Sequence, residues 1–258
     1  MDRRDFLKAI ALTGVAMIIK PGGTMDLLAQ SVTDPASGGK TVLIAVMGGE
    51  PDALFRKAIA EMGGMKKFVI AGAKNSGIED AAKTAGAKVV PAHEESYYRD
   101  ISLPHGKILK NAKVHRAILD SDVWINVPVL KHHGGANLTI SMKNLMGIVW
   151  DRGAFHRDDL QQCIADICTL QKKPALNVVD AYRVMKTNGP RGQSADDVVL
   201  AKGLFVSPDI VAVDTAATKF FNQIREMPME SVGHLANGQA LNIGTTDLDK
   251  LNVKRIKL

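Results

Sequence analysis

Short apolar runs bounded by Gly, Pro and polar clusters alternate along this chain with stretches of helical spacing. Residues 41–47, 67–71, 87–91, 123–127, 175–179 and 203–206 read as buried strands, and 253–257 as a final edge strand. Residues 51–62 place Leu54, Ala58, Ile59 and Met62 on one helical face. Residues 77–85 read as a helix opened by Ser76, with Glu79 three residues on as in a capping box. Helical spacing also covers 113–119, 138–146, 158–171 and 208–222, the last with Ser207 as N-cap and Pro208 at its first position. The alternation predicts an α/β fold, a mostly parallel sheet with helices on both faces. In such folds ligands gather beyond the carboxyl ends of the strands.

The N-terminus breaks this pattern. Arg3-Arg4-Asp5-Phe6-Leu7-Lys8 precedes an apolar run over 9–19, and small residues follow near Ala29. A basic start, a short apolar core and a small-residue end describe a signal peptide, and eleven apolar residues are too few to span a bilayer. The motif resembles the twin-arginine export signal, which implies export as a folded protein and the twin-arginine translocation machinery as a partner. An N-terminal amphipathic helix is the alternative. The expected organisation is a leader over 1–29, a flexible Ser-, Pro- and Gly-containing lead-in over 30–39, and a single α/β domain over 40–258, with no membrane span in the mature chain.

The 258 residues carry a net charge of +6, or +5 once the four basic and three acidic residues of the leader are removed. No dense Lys or Arg run and few aromatic residues point away from nucleic acid. Cys163 and Cys168 are the only two cysteines, so this chain cannot itself hold a four-cysteine iron–sulfur cluster. Both read as small buried apolar residues.

The densest chemistry lies between Asn126 and His156. A strand runs into Lys131-His132-His133-Gly134-Gly135-Ala136-Asn137 and then into a segment of helical spacing. The two glycines let backbone amides approach a ligand, a helix N-terminus favours an anion, and Lys131 and Lys143 add positive charge. A capped helix after a tight turn is the plainer account. His132, His133 and His156 suit general acid–base work or a divalent metal, with His133, His156 and Asp180 as the candidate ligands. Lys143-Asn144 interrupts an apolar helix, marking either a polar pocket or a solvated face. Asp180 stands at a strand's carboxyl end, Arg191 offers a guanidinium from the loop 188–192, and Asp214 is a carboxylate among apolar neighbours.

Asn126-Val127-Pro128 with Lys131-His132-His133, then Lys143-Asn144-Leu145-Met146-Gly147, His156, Asp180-Ala181, Gly189-Pro190-Arg191-Gly192 and residues 209–214 together resemble the bacterial and archaeal family called domain of unknown function 362. The resemblance runs from about Leu54 to the end. It implies a parallel α/β fold and, in some members, an attached iron–sulfur segment that is missing here. Relatives of this type carry a further strand–helix–strand stretch after residues 63–69, where this chain has six residues before Ser76. The leading expectation is an exported protein binding a small anionic molecule or a divalent metal through Lys131, His132, Gly134, Gly135, Asn137, Asn144, Asp180, Arg191 and Asp214, with His133, His156 and Lys143 as catalytic candidates. The alternatives are a non-catalytic accessory protein of a periplasmic redox system, or a degraded relative with an incomplete site.

Overall fold

The computed structural model describes residues 88–257, together with the strands β1 (Met17–Lys20), β2 (Thr41–Val46) and β3 (Lys66–Ala71). The expected helices over 51–62 and 77–85, the lead-in, and most of the expected leader lie outside the described residues. The remaining strands are β4 (Lys88–Val90), β5 (Tyr98–Ser102), β6 (Asn111–His115), β7 (Val123–Asn126), β8 (Val129–His133), β9 (Asn137–Thr139), β10 (Leu176–Met185), β11 (Val198–Ser207) and β12 (Lys254–Lys257).

Five strands in the order β10-β7-β2-β3-β4 pair in parallel, which is the parallel sheet the alternation predicts. Antiparallel pairing enters at one side, where β11 turns back along β10 over nearly its whole length. Beyond it β1 pairs antiparallel with β11 and parallel with β12. β1 falls inside the apolar run read as the core of a leader. β8 branches from β10 in parallel and forms a small hairpin with β9. β5 and β6 make a separate two-stranded sheet.

Long-range pairing explains where periodicity misleads. The segment 113–119 has helical spacing, yet Lys113–His115 pairs with Tyr98–Asp100, and only Arg116–Leu119 is helical. The segment 138–146 divides into β9, a four-residue helix Ser141–Asn144 and a tight turn Leu145–Ile148. The helix expected to start at Pro208 starts instead at Ile210. Asp209 is its N-cap, because its carboxylate reaches the amides of Val211 and Ala212 at 2.9 Å each.

The helices Leu160–Ile167, Ile210–Ile224 and Gly233–Ala240 pack with Ser141–Asn144 over β10 and β11. Their apolar faces build one core with Trp124, Phe155, Phe205 and Phe221 fully buried. Cys163 and Cys168 belong to it as free thiols. Burial, reinforced by nearby carboxylates, pushes the Cys163 thiol up to about 11, so neither sulfur is poised as a nucleophile. Among the described residues no helix is long and apolar enough to cross a membrane.

Candidate functional site

β8 carries Lys131, His132 and His133 into the turn at Gly134-Gly135, and the loop 188–194 between β10 and β11 folds against it. The contact is direct. The Gly189 amide donates to His132 Nδ1 (3.0 Å), the Gly134 amide donates to the Gly189 carbonyl (3.1 Å), and Lys131 Nζ donates to the Pro190 carbonyl (3.3 Å). A Cβ on residue 189 would run into the His132 carbonyl, so the close approach requires glycine there. On its other side the loop wraps around Asp197. That carboxylate accepts from Thr187 Oγ1 (2.6 Å), Asn188 Nδ2 (2.7 Å) and the amides of Gln193 (2.6 Å) and Ser194 (3.0 Å). These donors hold its pKa well below the usual carboxylate range. Gly192, at φ +75°, supplies the left-handed residue that closes the loop.

The loop, β8, β10 and β11 enclose an open cleft of about 880 Å³. Lys131, Asp180, Arg183 and Arg191 line it, so three of the residues expected from sequence come together there, and Arg183 joins them. Asp180 sits in the middle of β10 rather than at a carboxyl end, and accepts from the Tyr182 amide at 2.8 Å. Among the described residues the Arg183 and Arg191 guanidiniums make no hydrogen bond or ion pair. Arg183 shares its strand face with Met185, an alternation that the sequence could have shown once β10 was known to run past Val179.

Lys143 extends the positive charge towards the histidines. The charges acting on Lys143 are those of Lys131 and Arg152, and burial followed by these cations lowers its pKa to about 8. Burial also lowers Lys131. His133 feels burial first, then Lys143, Lys131, His156 and His132, and falls to about 4. It is therefore neutral at pH 7. Its Nδ1 accepts from the amides of Gly135 and Ala136 at 3.1 Å each, so the ring proton is on Nε2. His156 is exposed on the helix Gly153–Arg157. His234, unnoticed as a site residue in the sequence, is fully buried near Lys143. Its Nδ1 meets Gln161 Oε1 at 2.6 Å, and its Nε2 has no partner. Burial, then the Lys143 charge, holds it down to about 3.

Several expected ligand contacts are occupied by the protein itself. The Gly134 and Gly135 amides donate to Gly189 and His133, not to a ligand. The N-terminus of the helix Ser141–Asn144 does face an acceptor, and that acceptor is the carboxyl group of Asp214. Its two oxygens accept from the amides of Ser141 (2.8 Å) and Met142 (2.7 Å), and it is wholly buried. Asp214 is thus a structural cap. Asn137, at φ 62°, ties its turn to the Ser231 carbonyl. Asn144 is buried and donates to Asn126 Oδ1 (2.7 Å), while Asn126 donates to Asn177 Oδ1 (2.9 Å), so this polar group is an internal asparagine network. His132 is committed to Gly189. Among the described residues no group of three or more His, Cys, Asp or Glu side chains is placed to hold a metal ion. The set His133, His156 and Asp180 is therefore not assembled as a metal centre, because Asp180 faces the cleft beside Lys131 while His133 is surrounded by cations.

With this geometry in view, residues 30–219 match the model of the family described as domain of unknown function (DUF362). The chain belongs to this family. The DUF362 match takes in every cleft residue named above, together with Lys143, the asparagine network and Asp214. No curated protein matches the chain. Among solved structures it is similar to the lactate racemase apoprotein from Thermoanaerobacterium thermosaccharolyticum, at 15% identity and a TM-score of 0.51. The alignment covers 88% of this chain and 56% of that one. A protein from Thermotoga maritima aligns at 11% identity and a TM-score of 0.41, over 73% of this chain and 55% of that one. The chain thus spans little more than half the length of either. The lactate racemase likeness is one of fold, which places DUF362 in this chain on a mixed α/β frame with a five-stranded parallel block.

Proposed function

We propose that this DUF362 protein binds a small anionic molecule in the cleft between β8, β10 and the loop 188–194. The observation that carries the reading is the group of cations on the walls of that cleft, Lys131, Arg183 and Arg191, with Lys143 near enough to Lys131 for their charges to interact. Lys143 adds a charge with no acceptor among the described residues. A half-buried ammonium beside other cations gains free energy when a counter-charge arrives, so the site favours an anion. Arg191 can meet a carboxylate or phosphate through two N–H groups at once. The neutral His133, carrying its proton on Nε2, is a hydrogen-bond donor that adds no charge.

Anion binding is testable by calorimetry on the full chain with inorganic phosphate, acetate and lactate. Lactate belongs in that set because the solved relative acts on a small carboxylate, and the fold is shared. Binding that weakens at least tenfold in Arg191→Gln and in Lys131→Met supports the reading. Binding that is unchanged in both variants refutes it. If the bound molecule is also turned over, Lys143, with its lowered pKa, and His133 are the acid–base pair this cluster offers.

Export by the twin-arginine route is a second part of the proposal, supported by Arg3-Arg4-Asp5-Phe6-Leu7-Lys8 and the apolar run after it. Cleavage near Ala29 would take β1 out of the sheet. The check is N-terminal sequencing of protein recovered outside the cytoplasmic membrane. A start near Gln30 that is lost in Arg3→Lys plus Arg4→Lys supports export. A protein that stays in the cytoplasm in both forms overturns it.

A further inference from the structure

We propose that the anion held in this cleft is an organic acid with a hydrocarbon tail, its carboxylate at Arg191, Arg183 and Lys131 and its tail along an apolar strip on β8, β10 and β11. The inference rests on the anion-binding reading and adds the class of molecule. The cleft has two chemically distinct parts. One carries the three cations and Asp180. The other is formed by Val129, Met185, Val198 and Leu200.

The register makes Met185, Val198 and Leu200 neighbours, while Val129 lies across from Asp180. Val129 and Lys131 alternate onto one face of β8, Arg183 and Met185 onto one face of β10, and Val198 and Leu200 onto one face of β11. Met185 pairs with Val198 and with Lys131, and Arg183 pairs with Leu200. On this face β8 and β10 therefore each carry one apolar and one charged side chain, and β11 carries two apolar ones, with Leu200 paired to Arg183 and Val198 to Met185. Val184, which points to the opposite face, is fully buried in the core.

Exposure supplies an independent observation. Leu200 is 58% and Val198 38% exposed, and they are two of the four large apolar residues exposed among the described ones. Two such residues on alternate positions of one strand, next to unpaired guanidiniums, form a surface that water solvates poorly. A hydrocarbon tail covers it while its carboxylate meets the cations. The volume of about 880 Å³ is also at the upper end for a small-molecule pocket and far beyond what a three-carbon acid fills.

The test measures the affinity of the full chain for acetate, butanoate, hexanoate, octanoate and decanoate by calorimetry, each below its micelle concentration, with decylammonium as the control of opposite charge. The expected result is about two- to fourfold tighter binding per added methylene from butanoate onward, as partial to full burial of each group provides. Leu200→Gln flattens that rise. Arg191→Gln weakens every acid by a similar factor. Decylammonium does not bind. If acetate binds as tightly as decanoate, the tail site is wrong and the anion site stands. If affinity rises with length but Leu200→Gln leaves the slope intact, or if decylammonium binds like decanoate, the tail site proposed here is wrong. If neither the acids nor phosphate bind, the anion reading itself falls and this inference with it.

Discussion

Two regions of this molecule gather charge, and they do so in opposite ways. At the start of the helix Ser141–Asn144 a buried carboxylate, Asp214, meets two backbone amides at 2.8 and 2.7 Å. In the cleft, Lys131, Arg183 and Arg191 stand on open walls, and neither guanidinium has a partner among the described residues. In the first region both amides are met by an acceptor of the chain, far from solvent. The second is open: Lys131 reaches the Pro190 carbonyl, and the two guanidiniums have no partner among the described residues. A buried polar group with its partners in place stabilises a fold, whereas a charged group left open to a cleft is available to a ligand. Asp214 is therefore engaged within the fold, whereas Arg191 is left open where the proposed anion would sit, although sequence alone offers both as ligand-holding residues.

The contrast is broken most forcefully at Asp214. Asp214→Ala leaves two buried amides without acceptors, each worth about 1–3 kcal/mol, so a loss of about 3 kcal/mol or more is expected from urea unfolding. Asp214→Asn keeps one acceptor and loses less. Arg191→Gln, by contrast, should move the unfolding midpoint within about 0.5 kcal/mol, as for other exposed positions, while weakening anion binding at least tenfold. A stability loss at Arg191 comparable to that at Asp214 would erase the distinction between the two regions.

Asp197 sharpens the comparison from between the two extremes. It touches no cleft ligand, yet its carboxylate gathers four donors from the loop that presents Arg191. Asp197→Ala should lower anion affinity several-fold and raise hydrogen exchange at the Gln193 and Ser194 amides, with Asp197→Asn recovering part of both. Unchanged exchange with weakened binding would mean that Asp197 acts on the ligand by some other path.

The parallel block was legible because it rests on local signals. The apolar runs at β2, β3, β4 and β7 are bounded by breakers and lie close to where periodicity puts them. What escaped was non-local. β10 and β11 each reach ten residues because they pair with one another, and the apolar–charged alternation of the paired ends acquires meaning only from that pairing. The site was half legible for the same reason. Lys131, Asp180 and Arg191 were visible as residue types and do meet in the cleft. Arg183 lay beyond the expected end of its strand. Asp214 was misplaced as a ligand because its real partners, the Ser141 and Met142 amides, are 73 and 72 residues away in sequence. Nothing in the sequence around His234 announces its place near Lys143.

Proton linkage offers a subtler test of the open region. With its pKa near 8, Lys143 loses its charge at a pH where ordinary lysines keep theirs. An anion bound nearby favours the protonated form, so binding is coupled to proton uptake. Affinity should fall as pH rises through about 8, by up to tenfold per pH unit above that point for one fully coupled proton. Lys143→Met should bind more weakly at pH 7 and lose this dependence. A wild-type affinity that stays flat from pH 7 to 9 would separate Lys143 from the anion site.

The last test concerns stability on the acid side, where the histidines and Asp214 oppose each other. His133 and His234 have folded pKa values of about 4 and about 3, below the ordinary histidine value of about 6.5. Between those limits the unfolded chain takes up protons that the folded chain refuses. Each histidine therefore lowers stability as pH falls below about 6.5, with a slope of at most about 1.4 kcal/mol per pH unit per proton. Asp214 works in the other direction. Burial lifts it to about 7 against the pull of its two amides, so the folded state holds a proton there that the unfolded state releases until pH nears 4. Its contribution grows as pH falls through about 7 and offsets roughly one of the two histidines. The net expectation is a shallow decline in the urea midpoint from pH 6.5 to 4.5. In Asp214→Asn, measured against its own value at pH 7, that decline should steepen, because the opposing carboxyl has gone. An unchanged slope in that variant would show that the two amides keep Asp214 ionised throughout.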